Sequence, residues 1–494
     1  MAVTMAGAGV ASTDVLIVGA GPTGLVLAAD LARRGVRAML VERAGSLFPG
    51  SRGKGLQPRT QEVLYDLGVL DGICAAGRPY PLMRGWEGDE PGQEWDMVTR
   101  SEATERVPFT DAWLIPQART QEVLHARLRE LGGEVRFGTG LTGVEQDAEG
   151  VTATLGDGST VRARFLVAAD GGRSTVRKAL GIEMRGETVD PKPMLVADVR
   201  IRPDSPVPDT HWHLWPKAPG GGVAFCPLPP DGGEGRLFQL AAQFTDESAV
   251  PDTSPAGVAR LLATRTPLRA EHIVEVVWAS DFRARAAMTD RFREGRVFLA
   301  GDAAHVHSPA GGQGLNTSVQ DAYNLGWKLA AVLSGGPEWL LDTYEEERLP
   351  VAADILGLST RIHRASAQGR PVQRGEEVRQ LGIGYRESKL TRETRAGLAD
   401  DALRAGDRAP DGRRGGTRLF DLFRGPHWTL LAVGDVPAPP PVESAFIRTA
   451  RIPAYEAYGA GVFLVRPDGY VGWAGETARG VETYLEEVGA CSAR

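Results

Sequence analysis

The sequence predicts an α/β protein: a Rossmann-like nucleotide-binding domain interrupted along the chain, an antiparallel sheet inserted into it, and a separate C-terminal unit. Three observations carry this reading. The apolar run Asp14–Val18 feeds Gly19-Ala-Gly21-Pro22-Thr23-Gly24 and then a helical pattern. Two later segments, Phe165–Arg177 and Arg296–Val332, repeat the order of strand, glycine–aspartate turn and helix. Between them, over about 183–282, short alternating runs separated by proline and glycine turns replace helical periodicity.

Composition bounds the function. At 494 residues the chain suits roughly three domains at about 150 residues each. Its 56 Lys+Arg against 63 Asp+Glu give a net charge of −7, which offers no electrostatic footprint for nucleic acid. Cys74, Cys226 and Cys491 are too scattered for a disulfide framework or a thiolate metal site, so the expected setting is the reducing cytoplasm. Met1–Thr13 lacks the basic start of a signal peptide, and no apolar stretch approaches the roughly 20 residues of a membrane span. The 62 glycines are about one residue in eight, costly unless turns or close backbone approaches demand them.

The first cluster shows such a demand. Leu25, Leu27, Ala28, Leu31 and Ala32 line one side of a helix that ends near Arg34-Gly35, and Arg37–Glu42 forms the next strand. In G-x-G-x-x-G the first glycine makes the turn, the second admits a pyrophosphate and the third lets helix and strand pack closely. The helix N-terminus adds free N–H groups and a favourable dipole. Glu42 stands where ribose hydroxyls need an acceptor, which favours FAD or NAD over NADPH in this crevice.

The later junctions point to FAD. Arg296–Ala300 reads as a strand ending in Gly301-Asp302. It leads through Ser308-Pro309-Ala310-Gly311-Gly312-Gln313-Gly314-Leu315-Asn316 into a helix over Thr317–Val332. Glycines there let a flat ring lie on bare backbone, Asp302 can bind a ribityl hydroxyl, and the helix start can oppose negative charge. Together these segments resemble the class A flavoprotein monooxygenases of the para-hydroxybenzoate hydroxylase type. The resemblance implies a Rossmann-like FAD-binding domain with non-covalent FAD, NADPH or NADH as a transient co-substrate, and O₂. It places Gly19, Gly21, Pro22, Thr23 and Gly24 at the diphosphate, Glu42 with Arg43 at the adenosine end, and Arg52 near the diphosphate or incoming NADPH. It further implies Gln117 and Asp302 near the ribityl chain, Asp170 in the Asp-Gly motif, Gly301 in the Gly-Asp motif, and Gly314, Leu315 and Asn316 at the helix start. No side chain stands out as catalytic; Pro309, Gly311 and Gly312 would line the flavin.

The middle runs Met194–Ile201, His211–Trp215, Val223–Leu228, Arg236–Phe244 and Ile273–Phe282 read as an antiparallel sheet, which in the resembled family roofs the substrate pocket. Trp212, Trp215, Phe225, Phe238 and Trp278 are the candidates to contact substrate, with ordinary sheet packing the competing explanation for each. His211 and His213 lack companion ligands, so no metal site is expected. His305 fits a structural Gly-Asp-Ala-Ala-His signature better than an acid–base role, and no phenol-deprotonating tyrosine pair is visible.

The expected division is 1–182 with 283–365 for FAD, 183–282 for substrate, 366–394 as a helical linker and 395–494 at the C-terminus. The last unit, with Trp428–Val433 and Val462–Trp473, resembles the thioredoxin-like domain of phenol and aromatic polyketide hydroxylases. It has no Cys-x-x-Cys, which implies a structural or dimerisation role in a monomer or homodimer. Ala474 stands where many relatives carry arginine. The whole resemblance implies hydroxylation of a polycyclic aromatic polyketide through a flavin C4a-hydroperoxide in antibiotic biosynthesis. A Baeyer–Villiger oxygenase, an antibiotic-inactivating enzyme, a simple-phenol hydroxylase and a silent flavin- or ligand-binding protein are the alternatives.

Overall fold

Val18, Val41, Ala168 and Leu299 end four neighbouring strands at one level. The computed structural model describes residues 11–367, 374–437 and 446–490. Five parallel strands run in the order Val297–Leu299, Thr160–Ala168, Ala11–Val18, Ala38–Val41 and Val135–Arg136. Antiparallel strands Arg293–Glu294, Val151–Leu155 and Leu141–Gln146 extend the sheet. Its central residues Val15, Leu16 and Ile17 are fully buried, as expected of parallel strands covered on both faces. The helices Pro22–Arg33 and Gly314–Leu333 pack against each other beside it.

The second of these helices starts at Gly314 rather than at Thr317. Gly312 turns the chain in the left-handed region at φ +63°, Gln313 becomes the N-cap, and Thr317 N–H donates the first helical bond to the Gln313 carbonyl. The extra turn brings Gly314, Leu315 and Asn316 into the helix start.

The roof is a seven-stranded sheet ordered Ile273–Phe282, Met194–Ile201, Arg236–Gln243, Val223–Pro227, His211–Trp215, Leu82–Glu87 and Glu90–Trp95. Its last two strands come from outside 183–282: the hairpin Leu82–Trp95 joins through parallel pairing with His211–Trp215. One face packs beneath the helix Pro255–Arg265, burying Leu195, Val199, Phe225, Phe238 and Leu240 with Val258 and Leu262. The other carries Asp198, Gln239, Cys226, Trp212 and Trp278, and turns toward Gly50–Leu56 of the first domain.

The long helix Asp342–Ala367 ends the first domain. Among the described residues of 374–394 there is one short 3₁₀ turn, Glu376–Arg379, and a strand, Arg392–Glu393, so that stretch is not a helical linker. Its chain is occupied by edge contacts: Arg374 pairs with Val98, and Arg392–Glu393 joins the C-terminal sheet beside Trp473 and Ala474. That five-stranded sheet centres on Gly461–Val465, and its neighbour Trp428–Val433 runs antiparallel to it and parallel to the edge strand Ile447–Ile452. Ala474 is wholly buried in its core, which suits a small side chain. Trp327 and Trp428 meet edge to face at 5.4 Å, so this domain shares an apolar core with the first. No described helix is long and apolar enough to cross a membrane.

Candidate active site

The level strand ends open a crevice at the carboxyl edge of the parallel sheet, where nucleotide ligands bind in such folds. The three motif glycines divide the work there. Gly19 has φ +105°, and a Cβ on it would lie 2.4 Å from the Ala169 carbonyl oxygen. A Cβ on Gly24 would meet the Gly19 carbonyl oxygen at 1.9 Å, so the helix start sits hard on the turn. A Cβ on Gly21 would meet no protein atom within 4 Å. That open space lies at the N-cap of the helix Pro22–Arg33, beside the free amides of Thr23 and Gly24.

Both oxygens of Glu42 are held, Oε2 by the Ala20 amide and Oε1 by the Ala44 amide, each at 2.9 Å. A carboxylate keeps further lone-pair sites, so the oriented group can still accept from hydroxyls. Gly301 crosses close over this region, because a Cβ on it would lie 2.7 Å from Thr23 Oγ1. Asp302 projects into the crevice, and its carboxylate accepts no hydrogen bond from any described residue. The crowding protein pushes its carboxyl above the usual range, against the pull of His305 and Arg52.

Arg52 stacks over Phe48 at 5.0 Å and Trp278 at 5.8 Å. Burial draws it below its ordinary range, Asp302 opposes that, and Arg173 and Arg43 add repulsion. Three arginines thus share the crevice rim. Gln117 Oε1 accepts from the Gly53 amide at 3.1 Å, and Asn316 clamps the same loop: its Oδ1 accepts from Gln57 N–H at 2.7 Å while its Nδ2 donates to Gly55 and Gly312 carbonyls. Leu315 packs against Gly53. Pro309 is exposed on the turn Pro309–Gly311, directly before the open helix start.

Other expected residues are placed differently. Asp170 caps the helix Thr175–Ala179 through its Oδ2 and the Thr175 amide at 2.7 Å, leaving only Oδ1 without a partner. The Asp-Gly and Gly-Asp segments are tied by Arg177, which donates to the Ala303 and Gly172 carbonyls, each at 3.0 Å. His305 is fully buried, with Nε2 2.6 Å from Asp321 Oδ2, and Arg348 holds the other Asp321 oxygen at 2.8 Å. Burial works against the Asp321 carboxylate, yet His305 and Arg348 hold it below the usual range. This is a packed structural bridge, and burial brings its neighbour His307 down to about 3, so that ring is neutral.

Of the five aromatic candidates, only Trp212 and Trp278 face the first domain. Phe225 and Phe238 stack at 4.4 Å in the core beneath Pro255–Arg265, and Trp215 stacks on Trp86 at 5.3 Å on that same side. Strand pleating decides it, since Trp212 and Trp215 differ by an odd number of residues. Sequence reasoning missed Lys54, Asp198, Gln239 and Arg374. Lys54 and Gln239 are hydrogen-bonded across the domain boundary, and Gln239 also donates to the Ser51 carbonyl. Only the sheet register, with Asp198 opposite Gln239 and Trp278, brings these residues together.

The open Gly21 cradle, the unpartnered Asp302 carboxylate and the bare helix start at Gly314 fit a flavin dinucleotide. An FAD binding domain family model matches residues 12–359, and an aromatic-ring hydroxylase C-terminal model matches 403–490. The chain belongs to the flavin-dependent monooxygenase family. A flavin-dependent monooxygenase of Mycobacteroides abscessus is 44% identical, over 96% of this chain and 99% of the relative. A 12-dehydrotetracycline 5-monooxygenase/anhydrotetracycline 6-monooxygenase of Streptomyces rimosus is 35% identical, over 95% and 96% of the two chains. The solved complex of aklavinone-11 hydroxylase with FAD and aklavinone superposes with a TM-score of 0.77 at 31% identity, over 96% of this chain and 98% of that one. This monooxygenase therefore uses FAD.

Proposed function

We propose that this monooxygenase hydroxylates a polycyclic aromatic polyketide in antibiotic biosynthesis, at the expense of NADPH or NADH and dioxygen. The observation that carries the reading is the inner face of the seven-stranded sheet, where Trp212 and Trp278 lie over the Gly50–Leu56 loop beside the crevice. Flat aromatic walls beside a flavin site suit a flat, electron-rich substrate. The tetracycline and aklavinone relatives named above support the same substrate class.

Bound FAD would supply hydride acceptance and oxygen activation. The chain's own residues do the rest. Asp302 and Glu42 accept hydroxyl hydrogen bonds, and Arg43, Arg52 and Arg173 balance phosphate charge at the rim. Pro309, Gly311 and Gly312 would hold the flavin ring, and the free amides of Gly314, Leu315 and Asn316 would oppose negative charge on it. The roof sheet and the clamped Gly53–Gln57 loop exclude water from the chamber.

The test is to purify the protein, measure bound FAD, and screen polycyclic polyketides for stimulated NAD(P)H oxidation, with NMR of any product. A yellow protein giving a new ring C–OH is expected, and Asp302→Ala should retain FAD at least about tenfold more weakly, the scale of a charged hydrogen bond. A protein that cannot be loaded with FAD overturns the reading, and a lactone product would make it a Baeyer–Villiger oxygenase instead.

A further inference from the structure

Unsatisfied polar atoms gather on the inner face of the roof sheet. Asp198 Oδ1, Trp212 Nε1 and Arg374 Nε are each buried without a hydrogen-bond partner. Each is a buried polar group that a bound polar ligand would satisfy.

Lys54 stands at their centre. Its Nζ donates to Gln239 Oε1 and lies 4.5 Å from the centroid of Trp212, which in turn stacks at 6.0 Å on Tyr80. No described carboxylate reaches ion-pair distance of Lys54, and the acid facing it is Asp198. Burial draws the ammonium below its usual range, with Cys226 and Asp198 opposing and Arg374 adding to the fall. Asp198 is itself pushed up to about 6 by burial, against Ser51 and Lys54. Arg374 adds a second cation, whose Nη2 donates to the Ala310 carbonyl at 2.6 Å while its Nε has no partner. Lys54 thus lies near Asp198, Cys226 and Arg374, with Arg78 also near Cys226 and Asp231 behind Asp198, and it keeps two of its three N–H donors unspent.

We propose that Lys54 is the substrate's anion anchor, binding one ionised ring oxygen, a phenolate or enolate, of a planar polycyclic aromatic. The proposal rests on the hydroxylase reading and specifies its substrate. An ammonium offers a point charge to a single oxygen, whereas a carboxylate is better matched by the planar fork of arginine. Trp212 and Tyr80 set aromatic walls beside the ammonium, a setting that suits an oxygen borne on a ring. An ionised ring oxygen enriches its ortho and para carbons in electrons, the condition for attack by an electrophilic oxygen. Lys54 is therefore a specificity-determining residue whose effect is on the ionisation of the ligand.

The experiment titrates 2-hydroxyanthraquinone bound to the FAD-loaded protein, following the absorption change as its hydroxyl ionises. 2-Methoxyanthraquinone and anthraquinone-2-carboxylate are the comparison ligands. The bound hydroxyl should ionise at least about one pH unit lower than in solution, and the methoxy analogue should bind at least tenfold more weakly. Lys54→Met should abolish the shift and Lys54→Arg should restore part of it, with FAD content confirming the fold. If Lys54→Met fails to fold, the hydroxy and methoxy affinities decide, and equal values overturn the anchor. It is also overturned by an unshifted hydroxyl, by no binding of the hydroxyanthraquinone, or by Lys54-dependent preference for the carboxylate. A yellow enzyme that oxidises NAD(P)H with substrate yet shows these results loses only the anchor; one that holds no FAD loses the function.

Discussion

Glu347 and Arg466 face each other through two hydrogen bonds, 2.6 Å to Oε1 and 2.9 Å to Oε2, with no solvent reaching either side chain. One comes from the long helix of the flavin domain and the other from the turn after the C-terminal strand Gly461–Val465. Lys328 shares Glu347 Oε2 at 2.8 Å, and Asp468 accepts from Arg466 and from Trp327 Nε1. Burial opposes the Glu347 charge, yet Arg466 and Lys328 hold its carboxyl well below the usual range.

Removing one partner of this pair should destabilise the whole protein. Arg466→Met leaves Asp468 without a cation and Glu347 with Lys328 alone in the interface, at a cost of about 3–5 kcal/mol. Glu347→Leu combined with Arg466→Met should cost less than the sum of the two single changes, since neither charge is then left opposite the other. Urea unfolding of the FAD-loaded enzyme measures both, and additive losses would show the two residues to be uncoupled.

The two faces of the roof sheet should respond differently to truncation. Phe225→Ala opens a cavity against Phe238 and should lose about 3–5 kcal/mol of stability. Its effect on the KM for an aromatic substrate should be small. Trp278 instead overlies Gly50 and meets Phe48 edge to face at 5.1 Å beside Arg52. Trp278→Ala should raise KM severalfold with a smaller loss of stability. Steady-state kinetics and melting of both variants separate the faces, and a KM change confined to Phe225→Ala would reverse the assignment.

The strand–glycine–helix junctions are legible in sequence because backbone sterics fix them: only glycine tolerates what Gly19 and Gly24 meet. The hairpin Leu82–Trp95 is not legible, since Glu90–Trp95 is almost wholly exposed and shows no alternation. Lys54, Asp198 and Gln239 become neighbours only through sheet register, from a loop and two strands far apart in the chain. The parity of Trp212 and Trp215 does hold a usable signal. Two residues three apart on one strand cannot face the same ligand.

His213 makes stability depend on acid. Its Nδ1 accepts from Trp86 Nε1 at 2.9 Å, so the proton sits on Nε2, which donates to the Pro208 carbonyl at 2.6 Å. Protonation would place a second hydrogen against the indole N–H. Burial, with His211, Arg84 and Arg236 adding repulsion, outweighs the Pro208 carbonyl and brings the ring down to about 4. The unfolded ring titrates near 6.5, so its contribution is complete above about pH 6.5 and is lost as pH falls toward 4, up to about 3 kcal/mol. Unfolding free energies of wild type and His213→Gln should converge as pH drops from 7 to 4; parallel curves would exclude this residue.

Gly21 and Gly24 should fail in opposite ways when given a methyl group. Alanine at 24 would drive its Cβ to within 1.9 Å of the Gly19 carbonyl oxygen, so the helix must lift off the turn. Gly24→Ala should lower the melting temperature of the apoprotein and, as a consequence, its FAD affinity. Alanine at 21 meets nothing in the protein within 4 Å and sits at the N-cap of Pro22–Arg33, so the apoprotein should melt within a few degrees of wild type. The methyl instead occupies the space through which a diphosphate must approach the helix amides, and FAD affinity should fall by at least about tenfold. Calorimetry of the two apoproteins with fluorescence titration by FAD distinguishes these outcomes. Undiminished FAD binding by Gly21→Ala would move the diphosphate away from this turn.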